Sequence, residues 1–175
     1  MLRELAFALN MTGFGAGVFM YVGLLALTMA RHFLGAPVEG KMTPTLWVHL
    51  APLSVIPLSM LALLKTTGDA SLLRYGSLVA AAFLGAALWW LVLAVSMTIR
   101  NRRQGKLPFA LSWWAFVFPI GACSVLAYRV SELLALEVLP LVASGLTLLA
   151  LFVWSAAALG TVRGIRTGAI FAPAL

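Results

Sequence analysis

Five uncharged apolar stretches, at 5–30, 42–64, 75–99, 107–128 and 138–162, fill most of the chain, and short polar segments separate them. Each is at least as long as the roughly 20 residues that a helix needs to cross the hydrocarbon of a bilayer. A backbone in lipid must pair its own N–H and C=O groups, so stretches of this length should be α-helices. The pattern therefore predicts an all-α integral membrane fold: one transmembrane domain over 1–175, with spans at about 11–31, 44–64, 75–99, 109–128 and 138–162.

Composition hardens that reading. Hydrophobic residues make up 63% of the chain and charged residues 10%, with a mean hydropathy of +1.05. A soluble domain carries about 25% charged residues, so that class is excluded. The net charge of +7 raises the question of nucleic acid. Basic residues collect in the cytoplasmic loops of membrane proteins, so the partner expected here is the lipid bilayer and not nucleic acid. The single cysteine, Cys123, lies inside the fourth stretch. It has no partner for a disulfide or a metal-ligand pattern and reads as a small packing residue. The first apolar run is long and lacks a small-residue cleavage motif, so it is expected to be a span and not a leader.

The loops at 31–41, 65–74, 100–106 and 129–137 are too short to hold a soluble domain. Four basic residues, Arg3, Lys65, Arg74 and Arg129, fall on one side of the alternating spans. Eight fall on the other: Arg31, Lys41, Arg100, Arg102, Arg103, Lys106, Arg163 and Arg166. The richer side belongs in the cytoplasm, which predicts an outside amino terminus and a cytoplasmic carboxyl terminus. Helical spans point to the bacterial inner membrane, since outer-membrane proteins use alternating strands. An odd number of spans with the amino terminus outside suggests the carboxyl-terminal half of a larger bundle, or a truncated reading frame.

Within the spans, proline is the most telling residue. Pro52 and Pro57 fall in the second and Pro119 in the fourth, where each removes a backbone donor and is expected to kink its helix. The freed carbonyls need a partner or water, so the kinks mark either packing bends or pore-lining helices that alternate with outer ones. Pro140 sits near the start of the fifth span, where proline is harmless. Gly13 and Gly17, like Ala81 and Gly85, have the small-xxx-small spacing of helix contacts. No Asp, Glu, Lys or Arg lies deep in a span, so the default mark of an intramembrane site is missing. His49 is the one imidazole within a span, read as structural or interfacial, and His32 is expected to touch headgroups. No nucleophile–base pair, HExxH motif or phosphate-cradling loop occurs. These features predict no catalytic residue, no metal and no cofactor.

The aromatic run that opens the fourth span is sharper. Trp113 and Trp114 fit an interfacial belt. Phe116 and Phe118, two residues apart, point about 200° apart on a helix and cannot face one lumen. Phe118 directly precedes Pro119. It is either ordinary packing or a hydrophobic constriction, a known means of gating.

The run Trp113-Trp114-Ala115-Phe116-Val117-Phe118-Pro119-Ile120-Gly121-Ala122 resembles the WWAFTFP signature of the tellurite-resistance/dicarboxylate transporter family. That family includes plant guard-cell slow anion channels and fungal malate and sulfite transporters. Pro44-Thr45-Leu46-Trp47-Val48-His49-Leu50-Ala51-Pro52-Leu53-Ser54-Val55 is similar to its PTLFILLAPPSV segment. Gly13-Phe14-Gly15-Ala16-Gly17 resembles its glycine-rich helix start. The resemblance implies a ten-helix protomer assembled as a trimer, with proline-kinked inner helices and a phenylalanine plug, matched here by Phe118. This chain corresponds to helices six to ten. It departs from the family at Pro52-Leu53, where the family has a double proline, and in lacking the first five helices, without which half a ring encloses no pore.

Three functions follow as expectations. The first is an anion channel or transporter for chloride-like anions, C4-dicarboxylate, sulfite or tellurite-type oxyanions, with Phe118 as gate. Pro52, Pro57 and Pro119 would be its kinks, and Phe116, His49, Gly13 and Gly17 pore or packing residues. The second is a truncated, non-conducting or accessory subunit. The third is a membrane enzyme or redox subunit using His49 and His32, with bound metal or haem.

Overall fold

The computed structural model describes residues 1–35, 38, 40–168 and 171, the side chain of Arg3 excepted. It is all helical, with no strand among the described residues. Three helices run unbroken: α1 over Leu2–Leu34, α3 over Ala70–Arg103 and α5 over Leu139–Thr167. The other two spans are each broken in two. A 3-10 segment, η1 at Gly40–Trp47, leads into α2 at Leu50–Thr67, and η2 at Leu111–Phe116 leads into α4 at Val117–Leu134. Among the described residues, five helical stretches are thus long and apolar enough to cross a membrane: Glu4–Leu34, Gly40–Thr67, Ala70–Arg103, Leu111–Leu134 and Leu139–Thr167.

The breaks correct the kink assignment. Pro52 is the third residue of α2 and Pro119 the third of α4. Both stand in the first turn, where backbone N–H groups lack an intrahelical partner anyway. They mark where an α-helix starts and do not bend the middle of one. Pro57 does lie inside α2, fully buried. Pro140 falls in the first turn of α5, as expected.

A 3-10 segment bonds its carbonyls less well than an α-helix, so other elements must help satisfy it. For η1 the donors come largely from α3. Trp90 Nε1 donates to the Leu46 carbonyl at 2.8 Å and Asn101 Nδ2 to the Thr43 hydroxyl at 2.9 Å. In the other direction, Trp47 Nε1 donates to Thr98 Oγ1 at 2.9 Å. The two 3-10 segments also touch each other, and Ser112 Oγ donates to the Lys41 carbonyl at 2.7 Å. Trp114 Nε1 reaches Thr161 Oγ1 on α5 at 3.1 Å. The tryptophans read as an interfacial belt are thereby joined to the bundle.

Turn chemistry sets the α2–α3 hairpin. Gly68 takes the left-handed conformation (φ 75°) that ends α2, and Asp69 caps α3 by accepting from the Ser71 and Leu72 amides at 2.8 and 3.2 Å. Helices α2, α3, α4 and α5 then pack into one bundle whose buried core draws on both 3-10 segments and all four helices. Ala80, Ala87, Ala94 and Ala127 let the backbones approach. Cys123 is buried there as a packing residue. Helix α1 stands apart, touching α2 and burying no residue of its most apolar stretch.

Candidate functional site

Because α1 stands away from α2, an open groove of about 940 Å³ runs between them. Its walls are α1 residues from Leu9 to Leu24 and α2 residues from Ala51 to Thr66. Fifteen residues of helix rise about 22 Å, so the groove follows most of a bilayer's hydrocarbon depth. The lining is chiefly apolar, with Asn10, Tyr21, Ser59 and Thr66 as its polar members.

Four sequence-predicted residues meet in this groove: Gly13, Gly17, Pro52 and Phe118. Phe118 enters it from the first turn of α4 and is 64% exposed. Phe116, two residues earlier, faces the other way and is 5% exposed. Its ring packs edge-on against Trp47 at 5.2 Å and Trp113 at 5.9 Å. The structure thus divides a pair that the aromatic motif places side by side. Pro57, too, belongs to the core and not to the groove.

The small-xxx-small spacing does not mark helix packing within this chain. A Cβ built on Gly13, Gly17 or Gly85 would meet nothing within 4 Å. The glycines of α1 leave its groove face shallow because no helix lies against it. Close approach occurs instead at Gly76, where a Cβ would collide with Leu64, and at Gly160, where it would collide with the Phe109 ring.

His49 sits at the η1–α2 junction, capping α2 by position with no side-chain cap bond. Its ring lies 4.9 Å from Trp90, 6.1 Å from Tyr21 and 6.4 Å from His32. His32, expected to touch headgroups, packs its partly buried ring against Trp90 at 5.5 Å, where the last turn of α1 meets α3. Tyr21, which lines the groove, donates a long bond to the His49 carbonyl at 3.5 Å. Among the described residues no group of three His, Cys, Asp or Glu could hold a metal ion.

Sequence reasoning passed over Tyr21, Trp90 and Asn10. Trp89-Trp90 carried the one available signal, since tryptophans in mid-span lie away from the interfaces where belts form. Tyr21 and Asn10 are polar in an apolar helix, but their spacing does not reveal which face opens on a groove.

Comparison with known proteins places this architecture. Residues 3–162 match the family described as SLAC1, voltage-dependent anion channel. Two uncharacterized transporters of Methanocaldococcus jannaschii are 31% and 30% identical over 169 residues, 97% of this chain and 49% of each relative. The chain spans about half the length of these curated relatives. No solved structure matches it. With five apolar helices and a family match over nearly its whole length, this multi-pass membrane chain belongs to the SLAC1 voltage-dependent anion channel family.

Proposed function

We propose that the chain supplies part of the wall of an anion-conducting path, with the α1–α2 groove on the lumen side and Phe118 as its obstruction. One observation carries the reading: an exposed phenylalanine at the start of a broken helix enters a long apolar groove beside Gly13, Gly17 and Pro52. The family match supports an anion as the permeant species. Its class is that of chloride-like anions, C4-dicarboxylate, sulfite or tellurite-type oxyanions.

Selection would be weak and electrostatic. Helices α2 and α4 both begin beside the groove, and neither start carries a side-chain cap bond. Partial positive charge at helix starts attracts anions without holding them, which suits flux. The net charge of +7 adds a general field of the same sign. In this reading the basic loops face the cytoplasm, the amino terminus lies outside, and the membrane is the inner one. The working assembly is a homo-oligomer, a trimer by family resemblance.

A second reading is favoured by the open groove and by the half-length match to the relatives. There the chain is a non-conducting or accessory subunit whose groove another set of helices must close. Anion flux into liposomes separates the two. The parent chain and Phe118→Ala are reconstituted side by side with chloride and malate as test ions. Flux that rises several-fold in Phe118→Ala supports the conducting reading. Silence from both supports the incomplete half, and equal flux from both removes Phe118 as the gate.

A further inference from the structure

We propose that His32 and His49 form a two-imidazole site for a soft monovalent cation, Cu(I) being the best fit, which clasps the end of α1 to the start of α2. The proposal does not depend on whether the groove conducts.

Two ring nitrogens are buried without a hydrogen-bond partner among the described residues, His32 Nε2 and His49 Nδ1. An unpaired buried polar atom costs about 1–3 kcal/mol, so two in adjacent rings call for a cause. His32 Nδ1 lies 2.7 Å from the Thr28 carbonyl. A carbonyl only accepts, so Nδ1 carries the proton, and in the neutral ring Nε2 is a bare lone pair. This is the arrangement that fixes a metal-binding imidazole, with its second nitrogen tied to a carbonyl. With Nδ1 turned back to its own helix, Nε2 is the nitrogen left for a guest, and the Trp90 and His49 rings lie 5.5 and 6.4 Å from this imidazole.

The spacing then limits what fits between the rings. The centroids are 6.4 Å apart, so the nearest the two nitrogens could come is about 4 Å, beyond a direct hydrogen bond. At that limit, with both nitrogens on the line between the rings, the gap has the length of two metal–nitrogen bonds of about 2 Å each. A water bridging the pair would have to accept from a His49 Nδ1–H and donate to His32 Nε2, and stoichiometric Cu(I) binding distinguishes the metal from that water. The Trp90 Nε1–H is engaged by the Leu46 carbonyl at 2.8 Å, and the Tyr21 hydroxyl makes only a long contact to the His49 carbonyl at 3.5 Å.

The surroundings favour a cation of low charge. The Trp90 ring is 4.9 Å from His49 and 5.5 Å from His32, which puts an aromatic ring beside both imidazoles. No third His, Cys, Asp or Glu joins the pair among the described residues. Zinc prefers four ligands and at least three from protein, and a divalent ion would find no counter-charge here. Two-coordinate Cu(I) needs neither, and imidazole is an accepted copper ligand.

The test is a Cu(I) titration of the purified chain in lipid nanodiscs under reductant, against a chromophoric Cu(I) chelator. The expected result is one Cu(I) per chain, with at least tenfold weaker binding in both His32→Gln and His49→Gln. X-ray absorption of the loaded parent should show two nitrogen scatterers at about 2 Å. Circular dichroism of the glutamine variants confirms that each keeps its helices. Copper binding that persists in the double variant overturns the site. So does the absence of stoichiometric Cu(I) in the parent, or Zn(II) binding as tight as Cu(I).

Discussion

Two faces of α4 and its neighbours are equally apolar in sequence and opposite in packing. On one, Phe116 is wedged between Trp47 and Trp113, next to a core in which Ile120, Leu126 and Val130 are wholly buried. On the other, Phe118 stands exposed over a groove floored by glycines. In lipid, apolarity alone does not drive one helix against another, because the tails are as apolar as the side chains. Packing and hydrogen bonds decide. The core face has both: tryptophan N–H groups bridge α3 to η1 and η2 to α5, and alanines let helices close in. The groove face has little of either, one long bond from Tyr21 to the His49 carbonyl at 3.5 Å, so it stays open to a guest or to another set of helices.

The contrast breaks most sharply at the two phenylalanines. Phe116→Ala should cost about 3–5 kcal/mol, as buried aromatic truncations do, and lower the thermal midpoint in detergent. Phe118→Ala should change that midpoint little, within about 0.5 kcal/mol, while altering flux in liposomes. Equal thermal losses in the two variants would erase the distinction between the faces.

A smaller effect is expected at Trp90. Trp90→Phe keeps a ring but strips the buried Leu46 carbonyl of its donor. A loss of about 1–3 kcal/mol follows, and faster amide exchange in η1 would locate it there.

The glycines give the finest comparison. Gly160→Ala pushes a methyl group into the Phe109 ring. Overpacking costs about 1–3 kcal/mol, against a gain in helix propensity of about 1 kcal/mol, so a net loss of roughly 1 kcal/mol is expected. Gly17→Ala meets open space. Its thermal midpoint should rise slightly, by about 0.5–1 kcal/mol of propensity, while a completed path narrows and its flux falls. A Gly17→Ala chain that loses stability would mean that α1 is packed against a neighbour.

Much of this molecule was legible from the chain alone. Length and apolarity fix five spans and their helical state, because lipid offers the backbone no other partner. The resemblance carried by Trp113–Pro119 and Pro44–Val55 is borne out at the level of the family. The opposite facing of Phe116 and Phe118 followed from helical geometry and holds. What failed was placement along the helix. Pro52 and Pro119 look like mid-span kinks until the 3-10 segments before them are seen, and propensity cannot tell a bent helix from a restarted one. Gly13 and Gly17 look like a contact until α1 is found standing off. His32 and His49, seventeen positions apart, have no shared spacing to read; only the closure of α1 over Trp90 brings them together. Sequence by itself set which segments enter the membrane, since that depends on local composition. Tertiary structure decided which apolar faces close and which stay open, since that depends on partners distant in the chain.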